Sequence, residues 1–159
     1  SAAAHGATEV VSVDLSGTYL DWLKKNYARN GIDAGAHPCV ESDGFQALDR
    51  FRRRGDRFDV VILDPPSFSH GPTGVWSVQR DLGRLVGSGL RVLREGGWLV
   101  VATNHGKMSP KEFSKAVLDG SRRTGRRLRI IHQHSPPLDI PAALHFPESR
   151  YLKCWVLQA

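Results

Sequence analysis

The sequence predicts one α/β domain, a doubly wound open sheet with helices on both faces. Three observations predict it. Apolar, β-branched runs of strand length alternate with amphipathic runs of helix length along the 159 residues. Right-handed crossovers between such strands bring their carboxyl ends to one edge. Three of those ends carry an acid, namely Asp14, Asp43 and Asp64.

Residues 2–4 are expected to be the last turn of a helix, stopped by Gly6. Residues 9–15, EVVSVDL, are expected to form a strand that ends in Asp14. Ser16 is placed to cap a helix over 17–30, with Tyr19, Leu20, Leu23 and Tyr27 as its apolar stripe and Asn30-Gly31 as its stop. A short strand over 38–42 precedes Asp43, and residues 45–53 form an amphipathic helix. Its basic end (Arg50, Arg52, Arg53, Arg54) suits a helix C-terminus.

Residues 57–68, RFDVVILDPPSF, are the stretch to which everything else refers. The unbroken run Val60 to Leu63 predicts a strand buried on both faces. It delivers Asp64 into Pro65-Pro66, and neither proline can donate to a sheet ladder, so the strand stops there. The outcome is a carboxylate at a strand tip, a stiff turn, and the flat apolar surface of Phe68. In open α/β sheets, ligands bind beyond strand carboxyl ends. Residues 69–74, SHGPTG, read as a flexible loop over that edge.

A helix is expected over 75–94, where Gly83, Gly87 and Gly89 weaken it or permit close packing. Gly96-Gly97 turns into a buried strand over 98–102, followed by Thr103-Asn104-His105. Ser109-Pro110 starts a helix running to about residue 123. A strand over 128–134, a proline-interrupted loop over 135–146 and a last strand over 151–158 complete the chain.

Composition narrows the function. Lys plus Arg number 22 against 16 for Asp plus Glu, a net charge of +6 that suits a polyanion such as nucleic acid without proving one. Cys39 and Cys154 have neither metal-ligand nor disulfide spacing and read as buried thiols of a reducing compartment. No metal site is expected. No apolar run has membrane-spanning length and no signal-peptide pattern is present, so the cytoplasm is the expected compartment and a membrane is not an expected partner.

An acid after the second strand of a nucleotide-binding sheet accepts ribose hydroxyls, because one carboxylate takes both. An acid at the next tip suits an adenine amino group, with Leu15 or Phe45 covering the ring. The third acid, Asp64, then lies near whatever the nucleoside carries at its other end. This describes a site for an adenosine-bearing cofactor; the competing reading is that such acids only cap the following helices.

Taken together, VVSVDLSGTYLDWLKKN, ESDGF, FDVVILDPPSFS and SVQRDLGRLVGSGLRVLREGGWLVV resemble the class I S-adenosylmethionine-dependent methyltransferases. More narrowly, they resemble the bacterial 23S rRNA enzymes that act on guanine N7 or cytosine C5. The resemblance covers essentially the whole chain, residues 1–159 forming one catalytic domain with a Rossmann-like sheet and an antiparallel last strand. It implies S-adenosylmethionine as cofactor, Asp14 on the ribose, Leu15 lining the adenine, Ser16 among the cofactor-binding residues, and Asp43 on the adenine amino group with Gly44 and Phe45 beside it. It further implies Asp64, Pro65 and Pro66 between the methionine part and the target base, with Phe68 packed on that base. Arg80, Asn104, His105 and Lys107 are the candidates for gripping large-subunit ribosomal RNA. The denser run Arg122, Arg123, Arg126, Arg127 and Arg129 either tracks phosphates or is a solvated helix end.

The chain departs from that family in two ways. Cytosine-C5 enzymes attack with a cysteine thiolate placed after the strand corresponding to 98–102, and here Thr103-Asn104-His105 stands instead. Guanine N7 has its own lone pair, so a guanine ring nitrogen is the expected target, with cytosine C5 and a non-catalytic RNA-binding role as alternatives. A nicotinamide oxidoreductase would share the strand-end acid but gives Asp-Pro-Pro-x-Phe no role. The second departure is that the family's first strand and glycine-rich loop have no counterpart here. The expectation is that an upstream part of the same protein supplies a strand between the 10–14 and 60–64 strands.

Overall fold

The computed structural model describes residues 2–71, 74–134, 145 and 151–159. The chain forms two units: residues 1–50 with 71–73, and residues 51–70 with 74–159.

In the first unit, β1 (Ser12–Asp14) pairs in parallel with β2 (Cys39–Glu41), Asp14 lying opposite Glu41. β1 is shorter than the sequence predicts. Its lead-in is held differently, by Nδ1 of the buried His37 accepting from the Val10 amide at 3.1 Å. Between the strands runs α1 (Gly17–Arg29), with the Ser16 hydroxyl accepting from the Tyr19 amide as the expected cap. Gly31, at φ 65°, follows its end. The apolar stripe is narrower than expected: Leu20 and Tyr27 are buried, whereas Tyr19 is exposed. Next comes α2 (Gly44–Arg54), whose last turn carries Arg52, Arg53 and Arg54. In the second unit its Phe51 ring meets Phe58 edge-on at 5.3 Å.

The second unit holds a four-stranded sheet in the order β3 (Phe58–Leu63), β6 (Leu93–Thr103), β8 (Lys153–Gln158), β7 (Arg129–His134). β3 and β6 are parallel, and β8 is antiparallel to both its neighbours, as expected of the last strand. The helices α3 (Val78–Val92) and α4 (Pro110–Thr124) pack on each other. Leu82, Val86, Leu90, Phe113 and Val117 join Val61, Leu63, Leu99, Val101 and Leu157 in the core. Ser109 and Glu112 form a reciprocal capping box at the start of α4, with Pro110 following the cap.

Three expectations are corrected. β3 is buried on one face only: Val61 and Leu63 are covered, while Val60 and Ile62 are 50% and 63% exposed. An all-apolar run cannot say whether both faces have a neighbour, and among the described residues one face has none. The 69–74 loop is instead the flanks of a hairpin, β4 (Phe68–Gly71) with β5 (Gly74–Ser77), residues 72–73 lying outside the described residues. α3 accordingly begins at Val78, where the Asp81 carboxylate accepts from the Ser77 amide at 3.0 Å. Finally, both cysteines are half-buried rather than buried. The proline-interrupted loop lies outside the described residues apart from His145.

Candidate active site at the strand carboxyl ends

Within the second unit, the parallel β3 and β6 end side by side, Leu63 opposite Val101. Asp64 therefore stands next to the β6 tip that continues into Asn104 and His105. The proline turn is held by its neighbours. The Trp76 indole N–H donates to the Pro66 carbonyl at 2.7 Å, and the Val78 amide donates to the Ser67 carbonyl at 3.1 Å. The Ser67 hydroxyl reaches the Asn104 side-chain oxygen at 3.4 Å. Phe68 is exposed, its ring edge-on to His70 at 5.0 Å. No donor among the described residues reaches the Asp64 carboxylate, which is exposed at this tip.

Trp76 was not singled out by the sequence, since a tryptophan in a Gly-Val-Trp-Ser run has no spacing that marks it. Its N–H occupies the Pro66 carbonyl and so fixes the turn that presents Asp64. Trp76→Phe keeps an aromatic ring and removes this donor. We expect it to loosen the turn that presents Asp64, read as faster amide exchange at Ser67 and Val78, with the melting temperature changed by only a few degrees through one lost hydrogen bond.

Arg80 is engaged locally at the hairpin: its guanidinium pairs with Asp81 at 2.7 Å and donates to the Val75 carbonyl. Burial alone would raise the Asp81 carboxyl, yet the hydrogen bonds from Arg80 and the Ser77 amide outweigh it and hold the group below its ordinary value. Arg80 thus braces β5 against α3 while its side chain stays largely exposed. The basic run behaves similarly. Arg126 donates to the carbonyls of Leu90, Leu93 and Arg94, Arg123 pairs with Asp119, and Arg129 donates to Gln158. Gln158 also lies opposite Trp98 at the amino end of the β6 ladder, so Arg129 sits at the edge away from Asp64.

In the first unit, Asp14 and Asp43 lie at the carboxyl edge of the β1–β2 pair. Each is engaged locally. Asp14 Oδ1 accepts from the Ser16 amide at 2.7 Å, and Asp43 Oδ1 accepts from the amides of Phe45 (2.8 Å) and Gln46 (3.2 Å). The helix-capping reading is therefore true of Asp43. It does not exhaust either group, because a carboxylate has about four lone-pair sites. Leu15 is 43% exposed and Phe45 half-buried beside them, an apolar surface next to two acceptors. These residues fit an adenosine.

The sequence also gave no sign of what β8 brings. An antiparallel last strand begins where the parallel strands end, so its first residues land at the carboxyl edge. Cys154 pairs with Ala102, in line with Asp64 across the sheet. Burial first, and the Asp64 charge second, push its thiol above the ordinary value. Lys153 is buried, its ammonium donating to the carbonyls of His105 (2.9 Å) and Tyr151 (2.7 Å).

The chain is 34% identical over 154 residues to ribosomal RNA large subunit methyltransferase I of Aeromonas salmonicida, covering 97% of this chain and 39% of that protein. It is 33% identical over 159 residues to ribosomal RNA large subunit methyltransferase K of Neisseria meningitidis serogroup B, covering 99% and 41%. A solved structure of SMU.776 complexed with SAH superposes with a TM-score of 0.89 at 28% identity, over 97% of this chain and 40% of that one. The chain thus spans about two-fifths of the length of these relatives. The family model for S-adenosylmethionine-dependent methyltransferases matches residues 1–145. With its strand-end acids, proline-stiffened turn and antiparallel last strand, the chain belongs to the S-adenosylmethionine-dependent methyltransferase family.

Proposed function

We propose that the protein methylates large-subunit ribosomal RNA from S-adenosylmethionine, at a guanine ring nitrogen, N7. The observation that carries this is the Asp64 carboxylate, exposed at a strand tip, reached by no donor among the described residues, and set on a turn fixed by Trp76 and Val78. When bound, S-adenosylmethionine supplies an electrophilic methyl group on a sulfonium. Methyl transfer to a lone pair is an in-line displacement, so the protein contributes alignment and electrostatics. Asp14 and Asp43 hold the ribose and the adenine amino group, with Leu15, Ser16, Gly44 and Phe45 around them. Asp64 and Pro65 accept from the target base and Phe68 packs on its face. Asn104, His105 and Lys107, exposed or half-exposed beyond β6, line the approach of the RNA. A base paired in a duplex is flipped out to reach Asp64.

The nitrogen target is supported by the thiol chemistry. Cytosine C5 needs a thiolate nucleophile, and Cys154 is at the right edge, but burial first and the Asp64 charge second push its thiol above the ordinary value. Transfer of labelled methyl to large-subunit rRNA, followed by base analysis, is expected to yield 7-methylguanine. A covalent adduct between Cys154 and RNA containing 5-fluorocytosine would instead establish the C5 reaction, and absence of any transfer would leave an RNA-binding role.

We also infer that an upstream part of the same protein adds a strand to β3. β3 ends the described sheet, so its outer backbone edge has no ladder partner among the described residues, and the relatives are longer. No helix among the described residues is long and apolar enough to cross a membrane.

A further inference from the structure

A cleft of about 430 Å³ opens between the loop after β6, the start of α4 and the β7–β8 strands. Met108, Leu152 and Trp155 give it apolar walls, and Ser109, His134 and Lys153 give it polar ones. Lys153 is 8% exposed, and its ammonium is met by two backbone carbonyls, at 2.9 and 2.7 Å. Among the described residues no carboxylate lies within 4.0 Å of it.

Buried lysines are almost always paired with an opposite charge, because two neutral dipoles compensate a desolvated ammonium poorly. Burial lowers the basicity of Lys153, and the charge of Glu112 opposes this only in part. Glu112 is itself engaged, accepting from the amide and hydroxyl of Ser109 at 2.7 Å each. The cleft and a buried cation that no carboxylate among the described residues meets share one complement, an anion with several oxygen acceptors. The loop that forms the cleft wall is the one that carries Asn104 and His105, so an anion held here belongs to a nucleotide close to the target base.

We propose that this cleft seats a backbone phosphate of the RNA substrate, next to the nucleotide presented to Asp64. The proposal rests on the RNA-methylation reading and extends it to Lys153, a residue that no sequence motif marks.

The test uses the intact protein and deproteinised large-subunit rRNA. Lys153→Met is expected to weaken RNA binding about fivefold to tenfold and to reduce the slope of log affinity against log salt by about 0.7 to 0.9, one phosphate contact. Binding of S-adenosylhomocysteine is expected to stay as in wild type. A purely structural lysine would not change the salt slope. Because Lys153 also ties down two carbonyls, a second pair of variants acts from exposed β7: Gln133→Glu is expected to weaken RNA binding and Gln133→Lys to strengthen it. Unchanged affinity and slope in folded Lys153→Met, or equal affinity in the two Gln133 variants, would overturn the proposal. Inorganic phosphate, followed by NMR at His134, separates the sources. If it binds and RNA does not displace it, the cleft is a free-phosphate site and the RNA assignment fails. If wild type binds no RNA at all, the functional reading fails with it; if wild type binds RNA and the variants do not differ from it, only the cleft is wrong.

Discussion

Asp64→Asn is expected to lower methyl transfer at least about a hundredfold, a loss of the size seen when a positioned acceptor is removed from a reacting group. The change preserves shape and replaces an acceptor-only carboxylate by an amide that also donates. At this tip the charge has no internal partner to lose, because no described residue donates to it. The fold should therefore survive, with the melting temperature within a few degrees of wild type. A second readout comes from Cys154, whose thiol is raised first by burial and then by the Asp64 charge. In Asp64→Asn the thiol should titrate lower, and alkylation by iodoacetamide at neutral pH should be faster. Near-normal turnover would remove Asp64 from the site, whereas unchanged alkylation would show that the two groups do not sense each other.

Gly120→Ala is expected to destabilise the second unit by about 1–3 kcal/mol, measured by denaturant unfolding. Two effects oppose each other. Alanine favours a helix over glycine by up to about 1 kcal/mol. Against this, a Cβ at Gly120 would sit 2.6 Å from Val86 Cβ and 2.8 Å from the Gly83 carbonyl oxygen. A backbone oxygen and a β-branched carbon cannot swing aside, so α3 and α4 must part, and the packing loss wins. Gly89 supplies the contrast. A Cβ there would meet the Leu63 and Val61 methyls at 3.2 and 3.4 Å, and side-chain ends can shift by the few tenths of an ångström required. Gly89→Ala is expected to be near neutral, and equal losses at both sites would refute the packing argument.

These glycines show how far the sequence could be read. Glycines on the α3 pattern were open to two readings, weakness or close packing, and the approach of α4 to Gly83 shows that close packing holds. Element types were legible because their signals are local: Ser16 and Ser109 capped as expected, and Pro65-Pro66 ended β3 at Leu63. The hairpin at 68–77 was not legible. Its Gly and Pro residues signal a turn equally well for a loop, and strand pairing depends on a partner rather than on local preference. The one-sided burial of β3 had the same cause, since Val60 and Ile62 look identical to Val61 and Leu63 in the chain.

By itself the sequence determined the alternation of strands and helices, the acids at the strand tips and the stiffness of the turn after Asp64. These depend on residues within a few positions of each other, where periodicity, capping and the missing proline donors act. Only the tertiary structure decided which charges are committed. Arg80 and Arg126 engage carbonyls and a carboxylate of their own fold, no described residue donates to Asp64, and the start of an antiparallel strand delivers Lys153 and Cys154 to the carboxyl edge. The reason is that a side chain's partner is chosen by proximity across the sheet, between residues dozens of positions apart, and no local pattern records that distance.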